Sequence, residues 1–254
     1  MPWSLERIRL TRCASAERSL QEKLMSLTFA VADLHGRFDL LLAAEQAIAA
    51  RAGGNAATVV TLGDYVDKGL HSAELLDRLI RGFDGPQRWI HLKGNHDVIM
   101  QDALRDPAEL PRWMRNSGAT TLRSYDPSSA GVPKPSIVPA DHRAFLERLP
   151  SMHVDRHRVF VHAGVDPALP LDQQDHATLL WKNYAEGDAS GHGARHVVHG
   201  HHPFRDGPRL FAGRSNLDTL AWSTGRLVIA VFDDDVAGGP IDLIEVIGPP
   251  LEAG

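Results

Sequence analysis

The stretch LTFAVADLHG, residues 27–36, decides the fold. Six apolar or small residues, Leu27 to Ala32, run straight into Asp33, Leu34, His35 and Gly36. Such a run is too short for a helix and reads as a buried strand. The polar cluster at its end marks where the strand leaves the core. The same grammar recurs downstream. TVVTL (58–62) runs into Gly63-Asp64-Tyr65-Val66-Asp67, and RWIHL (88–92) into Gly94-Asn95-His96-Asp97. Val159–His162 ends in His162-Ala163-Gly164, and His196–His199 in Gly200-His201-His202.

Between the first three strands the spacing changes to a helical one, over Phe38–Arg51 and Ser72–Gly82. Strand–helix–strand–helix–strand order predicts a largely parallel sheet covered by helices. Helices around Pro107, Pro111 and Gly118, a Pro/Ser/Gly-rich loop (126–139) and a helix at Asp141–Leu149 fill the next region. Beyond it come a hairpin, Met152–Val154 with Val159–His162, and strands at His196–His199, Arg209–Phe211, Ser215–Asp218, Leu227–Phe232 and Asp242–Val246. The expected fold class is α/β: a four-layer α/β/β/α sandwich of two mixed sheets flanked by helices. We expect one domain over residues 26–254, preceded by an extension over 1–25, with a helical and loop insertion at about 98–150.

The bulk properties fit one large soluble domain of 254 residues. The net charge of −5, without a long basic block, argues against a nucleic-acid backbone as partner. No apolar run reaches the length of a membrane span. Cys13 is the single cysteine, so no disulfide can close within the chain, and a cytoplasmic location is expected.

The five clusters share one chemistry. Ligands in α/β folds gather at the carboxyl ends of the strands, and here that edge carries Asp, His and Asn. Phosphate esters repel nucleophiles through their own negative charge. Two cations about 3.5–4 Å apart neutralise that charge, activate water and hold the reacting groups in line. Such a pair needs mixed oxygen and nitrogen ligands and one shared carboxylate. The clusters contain that inventory.

The ordered pattern D-x-H-G, G-D-x-x-D-[R/K]-G, G-N-H-[D/E], H-A-G, G-H, from residue 33 to residue 202, resembles the calcineurin-like metallophosphoesterases. Within them it is most similar to the phosphoprotein phosphatase branch, which holds bacterial and phage Ser/Thr phosphatases and symmetrical diadenosine tetraphosphate hydrolases. Leu179-Leu180-Trp181 and Asn216-Leu217-Asp218-Thr219 extend the likeness. The resemblance implies a dinuclear-metal phosphatase in which a water bridging the ions attacks phosphorus directly. By motif, Asp33 and His35 would bind one metal, Asp64 would bridge both, and Asn95, His162 and His201 would complete the second site. His96 would give a proton to the leaving oxygen, with Asp67 orienting it. Lys68, Asn95 and His202 would face the phosphate. The cofactors would be two divalent ions, manganese first, with iron or zinc as alternatives. The substrate would be a phosphorylated protein or a small phosphate ester, with no nucleic acid or membrane as partner.

The chain departs from the branch at two points. Lys68 stands where Arg is usual, and Asn183 stands where Arg commonly follows the Leu-Leu-Trp motif. Lysine keeps the charge but lacks the planar two-pronged donor set, and Lys182 or Arg205 could supply a different clamp. Two alternatives therefore stay open: a dinucleoside polyphosphate hydrolase, and a module that binds a phosphorylated ligand without turnover. A phosphodiesterase is disfavoured, since Pro203 stands where G-H-x-H would place a further histidine. Trp181 is expected in the core, Asn216 and Asp218 in strand-end hydrogen bonds, and the Asp233–Asp235 run in a solvated turn.

Overall fold

A computed structural model describes residues 26–251. The expected 1–25 extension, Cys13 included, lies outside the described residues.

The first sheet is built from β1 (Leu27–Val31), β2 (Ala57–Thr61) and β3 (Gln87–His91), all parallel. They are joined by α1 (Phe38–Ala52) and α2 (Ser72–Arg81). Parallel neighbours need such crossovers because a tight turn can only reverse the chain. The register pairs Val31 with Thr61 and Thr61 with His91, so the three strands end level. Asp33, Asp64 and Asn95 therefore leave the sheet along one edge.

Four helices follow: α3 (Asn95–Arg105), α4 (Leu110–Arg115), α5 (Gly118–Tyr125) and α6 (Ala140–Arg148). The second sheet has the order β4-β5-β6-β8-β7, from β4 (Met152–Val154), β5 (Arg158–Val161), β6 (His196–His199), β7 (Arg209–Leu210) and β8 (Arg214–Asn216). β5, β6 and β8 are parallel, and β4 forms the expected antiparallel hairpin with β5. α7 (His176–Trp181) covers its outer face through Leu179 and Leu180, which pack with Val159, Val161 and Val197.

The chain then returns. After α8 (Ala221–Thr224), β9 (Arg226–Asp233) pairs antiparallel with β1, and β10 (Asp242–Ile247) pairs antiparallel with β9. Two of the strands in the strand-rich second half thus belong to the first sheet. The Asp233–Asp235 run ends β9 and turns the chain, and Asp234 accepts the hydroxyls of Ser26 and Thr28, both at 2.7 Å.

Alternation along the strands builds the layers. In β1, Phe29 and Val31 face α1 and its neighbours, while Ala30, with Ala32 just beyond, faces the second sheet. The seam between the sheets is closed by Val60, Leu62, Leu92, Phe160, Val198, Leu217, Ala230 and Phe232. Phe160 and Phe232 meet edge to face with centroids 5.9 Å apart. We predict that Phe160→Ala lowers unfolding free energy by about 3–5 kcal/mol in urea titrations, because it empties the middle of this seam.

One boundary differs in a way that matters for the site. The helical region does not begin at Val98; α3 begins at Asn95. Asp97 accepts the Gly94 amide at 2.8 Å and so caps the first turn. Asn95 and His96 are helical residues, held by the rigid start of α3.

Candidate active site

The loops after β1, β2, β5 and β6 converge with the start of α3 on one pocket at the edge where both sheets end. Backbone geometry there is unusual. Asp33, His35, Asp64, Asp67, Lys68 and His201 all adopt positive φ, between 39° and 69°. Non-glycine residues rarely enter this left-handed region, and the conformation turns successive side chains into the pocket. Two glycines are required by space instead. A Cβ on Gly94 would fall 2.2 Å from the Asp64 carboxylate, and one on Gly200 would fall 2.2 Å from that of Asp33.

Asp64 sits at the centre and is buried. Its Oδ2 lies 3.3 Å from His35 Nε2, and its Oδ1 lies 3.6 Å from His162 Nε2. Asn95 Oδ1 is 2.7 Å from His162 Nε2 and 3.1 Å from His201 Nδ1. Asp33 accepts the His201 amide with both oxygens, at 3.3 and 3.1 Å. The structure thus brings together Asp33, His35, Asp64, Asn95, His162 and His201, which the sequence scatters over 169 positions.

These residues suit divalent cations. Donor atoms of Asp33, Asp64 and His162 lie within 4.8 Å of one another, as do those of His35, Asp64 and His96, and all are buried. Asp64 is common to both groups, the place a ligand shared by two ions would occupy. His35 Nδ1 donates to the Val66 carbonyl at 2.8 Å and His162 Nδ1 to the Leu62 carbonyl at 2.9 Å. A carbonyl can only accept, so Nε2 of each ring is left as the lone pair facing Asp64. Burial holds His35 and His162 below the usual imidazole range and His201 down at about 4, so all three stay unprotonated at neutral pH. Burial also pushes Asp33 well above the usual carboxylate range, with Asp218 and Asp64 adding to the shift. A carboxylate cluster in that state lacks positive charge, which cations would supply.

His96 also reaches this cluster, but its Nδ1 donates to Asp67 Oδ2 at 2.7 Å. Burial works against its charged form, yet Asp64 and Asp67 prevail and raise its pKa above the ordinary value. Asp64 and Asp67 thus favour the charged form of a ring that faces the pocket. Asp67 is 0 % exposed. Its Oδ1 accepts from Trp113 Nε1 at 2.9 Å and from the Thr121 hydroxyl at 2.8 Å.

Lys68 reaches the same pocket, with Nζ 3.2 Å from His35 Nε2 and 5.7 Å from the Trp222 ring. His202 instead rests its ring on Phe204, centroids 4.8 Å apart. Asn183 and Lys182 line a neighbouring cleft with Asp166, Thr178 and Trp181, and Lys182 Nζ lies 4.9 Å from the Tyr184 ring. Arg205 is exposed and reaches toward Ser223.

Trp181 corrects an expectation. It is not a core residue but 38 % exposed, and its ring meets that of His201 edge to face with centroids 6.2 Å apart. The Arg112 guanidinium of α4 lies 5.7 Å from its ring. The rule that large aromatics serve burial fails here because α7 ends at the pocket mouth, where Leu179 and Leu180 already fill the core side.

Three further residues join the site without having been assigned to it. Asp97 accepts the amides of Asp64 at 3.0 Å and Tyr65 at 3.1 Å, tying the β2 loop to α3. Asn216 and Asp218 do make strand-end hydrogen bonds: Asn216 Nδ2 donates to the His202 carbonyl at 2.7 Å, and Asp218 accepts the Leu220 amide at 2.8 Å. Burial pushes the Asp218 pKa up to about 6, and Asp218 in turn helps to raise that of Asp33. Its place in the Asn216–Thr219 motif was the signal that could have pointed to it.

The comparisons with known proteins agree with this geometry. No curated protein sequence matches the chain significantly. Among solved structures, a candidate diadenosine tetraphosphatase superposes with a TM-score of 0.63 at 22% identity, covering 89% of this chain and 95% of that one. A metallophosphoesterase from Sphaerobacter thermophilus gives 0.54 at 18% identity, covering 89% of each chain. A protein serine/threonine phosphatase from Saccharomyces cerevisiae gives 0.59 at 18% identity, covering 91% of this chain and 82% of that one. At these identities the likeness establishes the shared fold. Among the described residues no helix is long and apolar enough to cross a membrane. Residues 28–232 match the sequence pattern of the calcineurin-like phosphoesterases, and the chain belongs to that family.

Proposed function

We propose that the chain hydrolyses phosphomonoesters, in the manner of a Ser/Thr protein phosphatase, with two divalent cations held by Asp33, His35, Asp64, Asn95, His162 and His201. The carrying observation is the buried cluster around Asp64: Asp33, Asp64 and His162 offer donor atoms within 4.8 Å of one another, with His35 Nε2 3.3 Å from Asp64 and Asn95 Oδ1 2.7 Å from His162. When bound, the cations would neutralise the phosphate and activate a water between them. The residues do the rest. Asp64 would be the ligand common to both cations, while Asn95 and Lys68 would face the phosphate oxygens. A water gives up one proton to solvent as its oxygen adds to phosphorus and the ester P–O bond breaks; His96 gives its proton to the departing oxygen and regains one from solvent. Asp67 holds the imidazole in place and stabilises its charge. Manganese suits the mixed nitrogen and oxygen ligands, and iron or zinc would fit the same set.

One observation favours a second reading. The exposed Trp181 face beside Arg112 offers a stacking surface and a cation at the mouth, which suits a dinucleoside polyphosphate. A panel of manganese, iron, zinc and magnesium against p-nitrophenyl phosphate, a phosphoserine peptide and diadenosine tetraphosphate tests both. We expect manganese-stimulated release of p-nitrophenol and of phosphate from the peptide. Preference for the dinucleotide would select the second reading. Folded, metal-loaded protein that turns over none of them would leave a binding module.

A further inference from the structure

Asp67 has two oxygens and two tasks. Oδ2 holds His96, and Oδ1 takes two hydrogen bonds from residues 46 and 54 positions downstream. The Thr121 hydroxyl also accepts the Asp67 amide at 2.8 Å. Its own proton is thereby committed to Oδ1, and the two residues close a small ring. Trp113 is wholly buried, and its indole N–H has one direction in which to point. The chain between them is shaped for this. Ser117 takes a left-handed turn, with φ 72°, and a Cβ on Gly118 would fall 2.7 Å from the Trp113 ring. That close approach brings α5, and Thr121 on it, back beside Trp113. Asp67 itself has φ 69°, so its backbone sits in a rarely favoured basin and other contacts must define its carboxylate.

We infer that Trp113 and Thr121 are positioning residues for proton transfer: together they pin Asp67 Oδ1, so that Oδ2 keeps His96 aimed at the departing oxygen. This rests on the proposed role of His96 as proton donor. On this view the segment between β3 and β4 does more than cover the pocket. It carries half of the machinery that aligns the acid.

A merely structural role would lower stability and slow every substrate alike. A positioning role has a different signature, because an acid matters in proportion to how badly the leaving oxygen needs a proton. Nitrophenolate departs with little help, whereas phenolate needs more. Trp113→Phe keeps the ring and removes the N–H. Thr121→Val keeps the shape and removes the hydroxyl. We expect each to lower kcat on phenyl phosphate by about tenfold, the worth of one hydrogen bond to a buried charge, with little change in KM. On p-nitrophenyl phosphate the loss should be much smaller. The ratio is measured on one metal-loaded preparation, so differences in folded fraction cancel. Tyr125→Phe in α5, which removes the 2.8 Å bond to His142 of α6 without touching Asp67, should leave the ratio unchanged. His96→Asn serves as the reference. If it shifts the ratio while Trp113→Phe and Thr121→Val do not, the positioning inference is overturned and the proton-donor role survives. If none of the three shifts it, both fall.

Discussion

Asp64→Asn is expected to reduce metal content from two ions per chain to one or none, and to remove hydrolysis of every ester tested. Asparagine fills the same volume, and its Oδ1 can still accept the His96 amide, which Asp64 now takes at 2.9 Å. What it cannot do is share a negative charge between two cations. At present burial opposes that charge, but the basic groups around it, Lys68 among them, outweigh burial and hold the carboxyl below its usual range. The ionised form is therefore the resident one, and its loss leaves both donor groups without their common member. Metal analysis and activity on the same sample check this. Two bound ions with activity near that of the parent protein would remove the basis of the proposed function.

His96→Ala is expected to lower kcat on a phosphoserine peptide by about 10²–10⁴-fold, the usual range for a lost general acid, with metal content unchanged. The pH profile gives the second readout. A raised imidazole pKa means that the proton is present at lower pH and is lost as pH rises through that value. Activity of the parent protein should thus decline on the alkaline side, and the variant should lack that decline. On the acid side the metal-binding rings need to stay neutral. His201, held at about 4, keeps its lone pair until the solution becomes strongly acidic. An alkaline limb that persists unchanged in His96→Ala would assign the proton donor elsewhere.

Much of the candidate site was legible in sequence because each polar cluster follows a strand whose end is marked by an apolar run giving way to Gly, Asp or His, and the family resemblance singled out the candidate ligands within the clusters. Level strand ends then place Asp33, Asp64 and Asn95 side by side without any long-range information. The strands of the second sheet obey the same rule for His162 and His201. Other features depend on distance along the chain and left no local mark. RLVIAVFD (226–233) reads as a buried strand, but nothing in it says that it pairs with β1 rather than β8. Trp113 and Thr121 look like ordinary helical residues until Asp67 is placed beside them. Trp181 was misread because burial statistics describe an average aromatic, not one at a pocket mouth. Arg112 lies in a different segment from the family motifs, and only its approach to Trp181 connects it with the site.

The six left-handed residues around the pocket also bear on how this protein can change over generations. At roughly 1–2 kcal/mol for each such residue, their combined burden rivals the whole net stability of an average domain, about 5–15 kcal/mol. Glycine would relax every one of them, and a lineage freed from hydrolysing phosphate esters should accumulate glycines there and become hardier. A lineage that keeps its chemistry must keep the awkward backbone, and must find its durability in the seam between the sheets.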